Sequence, residues 1–68
     1  MGEKGVADII GCWKGRMIAI EIKKPGGKAT HAQLSFLECV NQAGGIGFVA
    51  DSIEVVIREL GLQDRFLV

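Results

Sequence analysis

The chain has 68 residues, 49% of them hydrophobic, with eight basic and eight acidic side chains, ten glycines, one proline and no tyrosine. A fold of that length buries only about 60% of the surface its unfolded chain exposes, and one core rarely supplies more than about 3–5 kcal/mol, so a second domain is excluded and a subunit interface, a bound metal or a further segment is needed for support. Disulfides are not that support, because Cys12 and Cys39 are the only cysteines, whereas small secreted scaffolds carry about four to eight; no apolar run approaches the ~20 residues of a membrane helix, and the start of the chain has no apolar signal region, so the expected setting is cytoplasmic.

Val6 to Trp13 is apolar and rich in β-branched residues, and Arg16 to Lys23 is a second such run, with Lys14-Gly15 between them. This spacing predicts a β-hairpin, with Gly15 able to take the positive φ of a two-residue turn. In the second strand Ile18, Ile20 and Ile22 fall on one face, expected to be core. Met17, Ala19, Glu21 and Lys23 fall on the other, expected to carry charge. Pro25-Gly26-Gly27 ends the strand. Thr30-x-x-Gln33 opens a helix as a capping box, with Phe36, Leu37 and Val40 on its apolar stripe beside Gln33, and Gly44-Gly45 closes it. Ile46 to Ala50 reads as a short buried strand. Asp51-x-x-Glu54 signals a second cap, ahead of an amphipathic helix over 52–60 in which Ile53, Val56, Ile57 and Leu60 form the stripe and Gly61 the stop. The expected class is therefore α/β in the order β-β-α-β-α, a small mixed sheet with helices packed on it. Residues 63–68 read either as an edge strand or as a docking segment.

The zero net charge conceals a polarised chain. Residues 1–28 hold six basic and three acidic side chains, a balance of +3, and residues 29–68 hold two and five, a balance of −3. A basic face, and with it a nucleic-acid partner, stays open. If Lys14-Gly15 is the turn, every antiparallel pair sums to 29 and Asp8 falls opposite Glu21, with Lys23 diagonal to Asp8 on the same face. Like charges directly opposite one another destabilise a sheet unless something compensates them. Lys23 is one compensator; a hard divalent cation is another, since Mg²⁺ takes a few carboxylates plus water and phosphate oxygens. The plainer alternative makes Asp8 the end of an edge strand and Glu21–Lys23 an exposed ion pair worth little.

Gly5-Val6-Ala7-Asp8, Gly15-Arg16, Ile20-Glu21-Ile22-Lys23-Lys24-Pro25-Gly26-Gly27-Lys28, Gln33, Phe36 and Gly44-Gly45 together resemble the virus-type replication-repair nuclease (VRR-NUC) domain, a branch of the PD-(D/E)XK nucleases. The resemblance covers residues 5–60. It implies a minimal restriction-endonuclease-like core and a Mg²⁺- or Mn²⁺-dependent endonuclease acting on DNA, selective for branched structures such as junctions or flaps. Asp8 and Glu21 would be the acidic metal ligands, with the backbone carbonyl of Ile22 as a further ligand. Lys23 would be the motif lysine, able to orient the attacking water or to stabilise charge growing on the phosphate. Gln33 would be the helical glutamine beside the metal. Two departures stand out: Ala7 replaces the motif proline, and the N-terminal helix that usually carries a glutamate ahead of the first strand is lacking, Glu3 lying too close to serve. An intertwined homodimer would supply the shortfall. The alternative is a DNA-binding or assembly module whose nuclease-like site is inactive without an N-terminal segment.

Other residues carry less. Gln33 has a purely structural role available as the closing member of the Thr30 capping box. Lys24, Lys28 and His31 cluster at the glycine-rich turn and helix N-terminus, where backbone N–H groups favour phosphate, and Lys14 and Arg16 extend the basic set. Together these five are the expected DNA-binding residues. A lone His31 is too little for a zinc site. Cys12 and Cys39 are expected in the core, and Trp13 as packing, although a turn-proximal tryptophan can also stack on a base.

Overall fold

The computed structural model describes residues 7–61. Five elements follow in order: β1 (Ile9–Trp13), β2 (Arg16–Ile22), α1 (His31–Gln42), β3 (Ile46–Ala50) and α2 (Ile53–Leu60). β2 is the central strand of a three-stranded sheet ordered β1-β2-β3, antiparallel to β1 and parallel to β3, and α1 is the crossover between the parallel pair. This is the mixed α/β arrangement in the order β-β-α-β-α that the sequence predicts.

The hairpin closes on Lys14 and Gly15, with φ of 52° and 79°. Both residues at positive φ make a two-residue turn whose twist matches that of the flanking strands. Pairing runs from Trp13↔Arg16 to Ile9↔Ile20, so every pair sums to 29. β1 begins at Ile9, and the part of the expected first strand before Ala7 lies outside the described residues, as does the segment 62–68.

Both helices take the caps their sequences offer. Thr30 Oγ1 accepts from Gln33 N at 3.1 Å, and Gln33 Oε1 accepts from Thr30 N at 2.8 Å. At the far end Gly44, at φ 94°, donates to Asn41 O, and Gly45 donates to Val40 O. Those two bonds are the paired closure that a glycine past the last turn permits. α2 ends at Gly61 with φ 68°. Its N-cap differs from the expected one: Ser52 caps the helix, accepting from Val55 N, while Asp51 stands exposed. β3 needs two residues to leave the sheet, and the hydroxyl one position later is the one that reaches a free N–H of the first turn.

One expectation about β2 is corrected. Its two faces were read as one core and one charged; instead both are covered. α2 lies over Ile18, Ile20 and Ala50, with Val55, Val56 and Leu60 packed on them. α1 lies over Ala19, with Ala7, Leu37 and Val40 completing a second cluster. A crossover helix must cover one face of the parallel pair it connects, which takes Ala19 and Glu21 out of water. Three smaller expectations also change. Ile53 is 62% exposed, because α2 turns Val55 toward the sheet in its place. Ile22, assigned to the core face, is half exposed at the end of β2. Cys12 and Cys39 are both exposed, the first on the outermost strand and the second on the outer side of α1.

Candidate functional site

The C-terminal end of β2 emerges between α1 and the start of β1. Strand alternation sends Glu21 to the α1 face, where it is 1% exposed and is the largest fully buried side chain. Burying a carboxylate costs several kcal/mol unless it is paired and hydrogen-bonded, and two partners meet it here. Lys23, two residues on and on the same face, brings Nζ to 3.2 Å from Glu21 Oε2. Gln33, in the first turn of α1, donates from Nε2 to the same oxygen at 2.9 Å. Glu21 Oε1 is buried with no hydrogen-bond partner among the described residues.

Gln33 takes the capping role the sequence offered and also reaches Glu21. Its Oε1 closes the capping box on Thr30, and its Nε2 holds Glu21. The local rule that starts α1 also locks the amide that orients the carboxylate, because the two ends of one planar group are fixed together.

Asp8 precedes β1, and the register continued by one residue puts it opposite Glu21. In this pair the side chains approach most closely, with Cα atoms about 4.5 Å apart in an ideal ladder. Asp8 Oδ2 accepts from Ile22 N at 2.9 Å. A carboxylate thereby fills the ladder position that the Ala7 carbonyl would otherwise take, which is why the strand starts only at Ile9. The Ile22 carbonyl lies on the side of its own N–H, toward Asp8, whereas Lys23 N donates the other way, to Ala50 O at 2.9 Å. Of the two readings weighed for these residues, Asp8 does end the strand, and Glu21–Lys23 is not an exposed pair, since Glu21 is sealed beneath α1.

The five basic candidates fall into two groups. Pro25 and Gly26, the latter at φ 85°, form a turn closed by Gly27 N donating to Lys24 O at 2.8 Å, and Gly27 folds back over the Lys23 side chain. A Cβ at Gly27 would come within 3.0 Å of Lys24 O. Lys24, Lys28 and His31 are exposed around this turn and the first residue of α1, on the Glu21 side of the molecule. Lys14 and Arg16 stand at the other end of the hairpin; Arg16 is five residues from Glu21, about 17 Å along an extended strand. Lys14 Nζ lies 5.5 Å from the Trp13 ring centroid, and Arg16 Nε donates to Gly44 O at 2.9 Å, tying the hairpin to the end of α1.

Asn41, which sequence reasoning passed over, donates to Gly47 O at 2.9 Å and accepts from Gly47 N at 2.8 Å. An asparagine in the last turn of a helix just ahead of a strand was the only available signal.

These features define a small α/β domain with a sealed glutamate, a facing aspartate and an adjoining lysine at one end of its sheet. Among the described residues no group of three or more His, Cys, Asp or Glu side chains is placed to hold a metal ion, and none of the helices is long and apolar enough to cross a membrane. Comparison with family models, curated proteins and solved structures gives no match for this chain.

Proposed function

We propose that the chain is a divalent-metal-dependent DNA endonuclease of the VRR-NUC kind, selective for branched DNA. The observation that supports this reading is Glu21 Oε1, a buried carboxylate oxygen without a hydrogen-bond partner among the described residues, in a side chain whose other oxygen is already held by Lys23 and Gln33. An oxygen left bare in that way is costly for stability alone. Mg²⁺ or Mn²⁺ suits it, because such ions bind through one or two carboxylates and keep water or phosphate oxygens as their remaining ligands. Asp8, Glu21 and the Ile22 carbonyl would hold the ion, which when bound supplies Lewis acidity toward a phosphoryl oxygen and an activated water.

The chain's own residues do the rest. Gln33 holds Glu21 in one rotamer from a rigid helix turn. Lys23, about a quarter exposed at its side chain, presents an ammonium both to Glu21 and to the solvent side, where it can orient water or meet charge developing on phosphate. Lys24, Lys28, His31 and the N–H groups at the start of α1 would seat the DNA backbone. Such contacts position a protein on DNA without reading its bases, which favours shape over sequence as the target.

Purified protein with Mg²⁺ or Mn²⁺ is expected to cut junction or flap DNA, and Lys23→Gln, which still offers Glu21 a hydrogen-bond donor, to abolish cutting while keeping the circular dichroism spectrum. Cutting by Lys23→Gln at the wild-type rate would overturn the reading. The bond from Ile22 N to Asp8 Oδ2 favours a second reading, in which Asp8 is a strand terminator and the domain binds DNA without cutting it. Binding to branched DNA with no cleavage under any divalent metal would select that one.

A further inference from the structure

The two edges of the sheet are finished differently. At β3, Asn41 occupies both outward peptide groups of Gly47, so a side-chain amide blocks the middle of that edge. β1 has no equivalent guard among the described residues. Ile22 N–H points toward β1 and Lys23 N–H toward β3, so alternation turns the peptide groups of Ile9, Gly11 and Trp13 to β2 and those of Ile10 and Cys12 outward. Ile9, Ile10, Gly11 and Cys12 are all exposed, with Ile9 and Ile10 about half so. The strand contains no charge, no proline and no bulge, the devices by which edges normally avoid pairing.

We propose that β1 pairs antiparallel with β1 of a second copy of this chain, forming a two-fold dimer with a continuous six-stranded sheet. The pairing register follows from parity and charge. Only the outward groups of Ile10 and Cys12 are available, and centring the two-fold axis on Gly11 is the register that pairs all five residues. Ile10 then faces Cys12 of the partner subunit, and Ile9 faces Trp13 of the partner subunit. One step beyond the strand, Asp8 faces Lys14 of the partner subunit, and the symmetry makes this opposite-charge pair twice. Gly11 suits the axis, since a Cβ there would meet nothing within 4 Å and its own lack of one lets two strands approach closely. The Ile9 side also borders an apolar cavity of about 410 Å³ that includes Ile20, Ile22, Ile53 and Val56, so Trp13 of the partner subunit arrives beside apolar surface.

The dimer bears on the site as well. Within one protomer Lys14 lies at the far end of the hairpin from Asp8, whereas across the dimer the partner's Lys14 stands on the Asp8–Glu21 face. This last consequence rests on the nuclease reading; the pairing itself does not.

Static light scattering of the full chain at tens of micromolar, without metal or DNA, is expected to give twice the 7.3 kDa chain mass. A monomer, as when the chain's own ends cover the edge, or an open-ended series of assemblies overturns the proposal. Cys12→Pro removes only an outward N–H and is expected to give a folded monomer. The register is read separately, in a Cys39→Ser background. Ile10→Cys places the introduced thiol opposite the partner's Cys12, with Cα atoms about 5.5 Å apart, inside disulfide reach. The two Cys12 residues themselves stand about 8 Å apart by strand spacing, beyond that reach. Mild oxidation should therefore give a covalent dimer from Ile10→Cys and none without it. No covalent dimer from Ile10→Cys, or one formed equally fast without the substitution, overturns the pairing. None of these assays involves cleavage, so their failure and that of the nuclease reading are told apart.

Discussion

Glu21 illustrates how one residue is decided by several neighbours at once. Strand alternation points it under α1, Gln33 and Lys23 share its Oε2, and Oε1 is left over. Replacing Glu21 by its neutral amide gives up the ion pair with Lys23 but also the cost of burying a charge, the amide still offers Gln33 an acceptor, and Lys23, about a quarter exposed, can turn to solvent. Glu21→Gln should therefore melt, without metal, within about 1 kcal/mol of the parent. The difference should appear on adding Mn²⁺. With free metal a hundredfold above its Kd, a folded-state site adds about 2.7 kcal/mol, on the order of 10 °C in Tm for a chain this small. Differential scanning fluorimetry should show that rise in the parent and its loss in Glu21→Gln; equal shifts in both would remove Glu21 from the metal site.

The elements hold together through caps and close approaches that single substitutions can test. Ser52→Ala removes the oxygen that accepts from Val55 N, an effect of about 1 kcal/mol for an N-cap. Asp51→Ala should stay within about 0.5 kcal/mol, because its exposed side chain caps nothing. Urea denaturation of the two variants reads the difference, and the reverse order would restore Asp51 as the cap. Gly45 marks where α1 hands over to β3. An added Cβ would lie 2.7 Å from Met17 O and 2.8 Å from Val40 Cγ1. Backbone oxygen cannot yield as a flexible side chain does, so Gly45→Ala is expected to destabilise by about 1–3 kcal/mol, while Gly11→Ala meets no atom.

At the scale of the whole molecule, two short helices cover the two faces of the sheet among the described residues, and the two buried clusters found there are small. Ile9, Ile10, Met17, Ile22 and Ile53 are left more than 40% exposed on and around the hairpin. A chain whose own core supplies so little gains from association, and its stability then depends on its concentration. Thermal unfolding should show Tm rising with protein concentration in the parent and holding constant in Cys12→Pro. A concentration-independent parent would separate the stability of the fold from any dimer.

Much of this was legible in the residues themselves. Lys14-Gly15 forced the turn and with it the register; the Thr30–Gln33 box started α1 where expected; Gly44-Gly45 and Gly61 stopped both helices. Each is a local rule, in which a backbone torsion or a nearby N–H decides among few options, and an error of one residue would have flipped every side chain of the hairpin. Burial belonged to a different order of information. Alternation told which residues share a face with Glu21, but not that α1 would cross that face, and so not that the presumed charged side would be sealed. The exposure of Cys12, Cys39 and Ile53 escaped for the same reason, as did the place of Asn41 on the edge of β3. Sequence by itself determined the order of elements, the hairpin register and the companionship of Asp8, Glu21 and Lys23. Only the tertiary structure decided that Glu21 is buried with one oxygen bare, because burial depends on how distant segments cross and not on the spacing of neighbours along the chain.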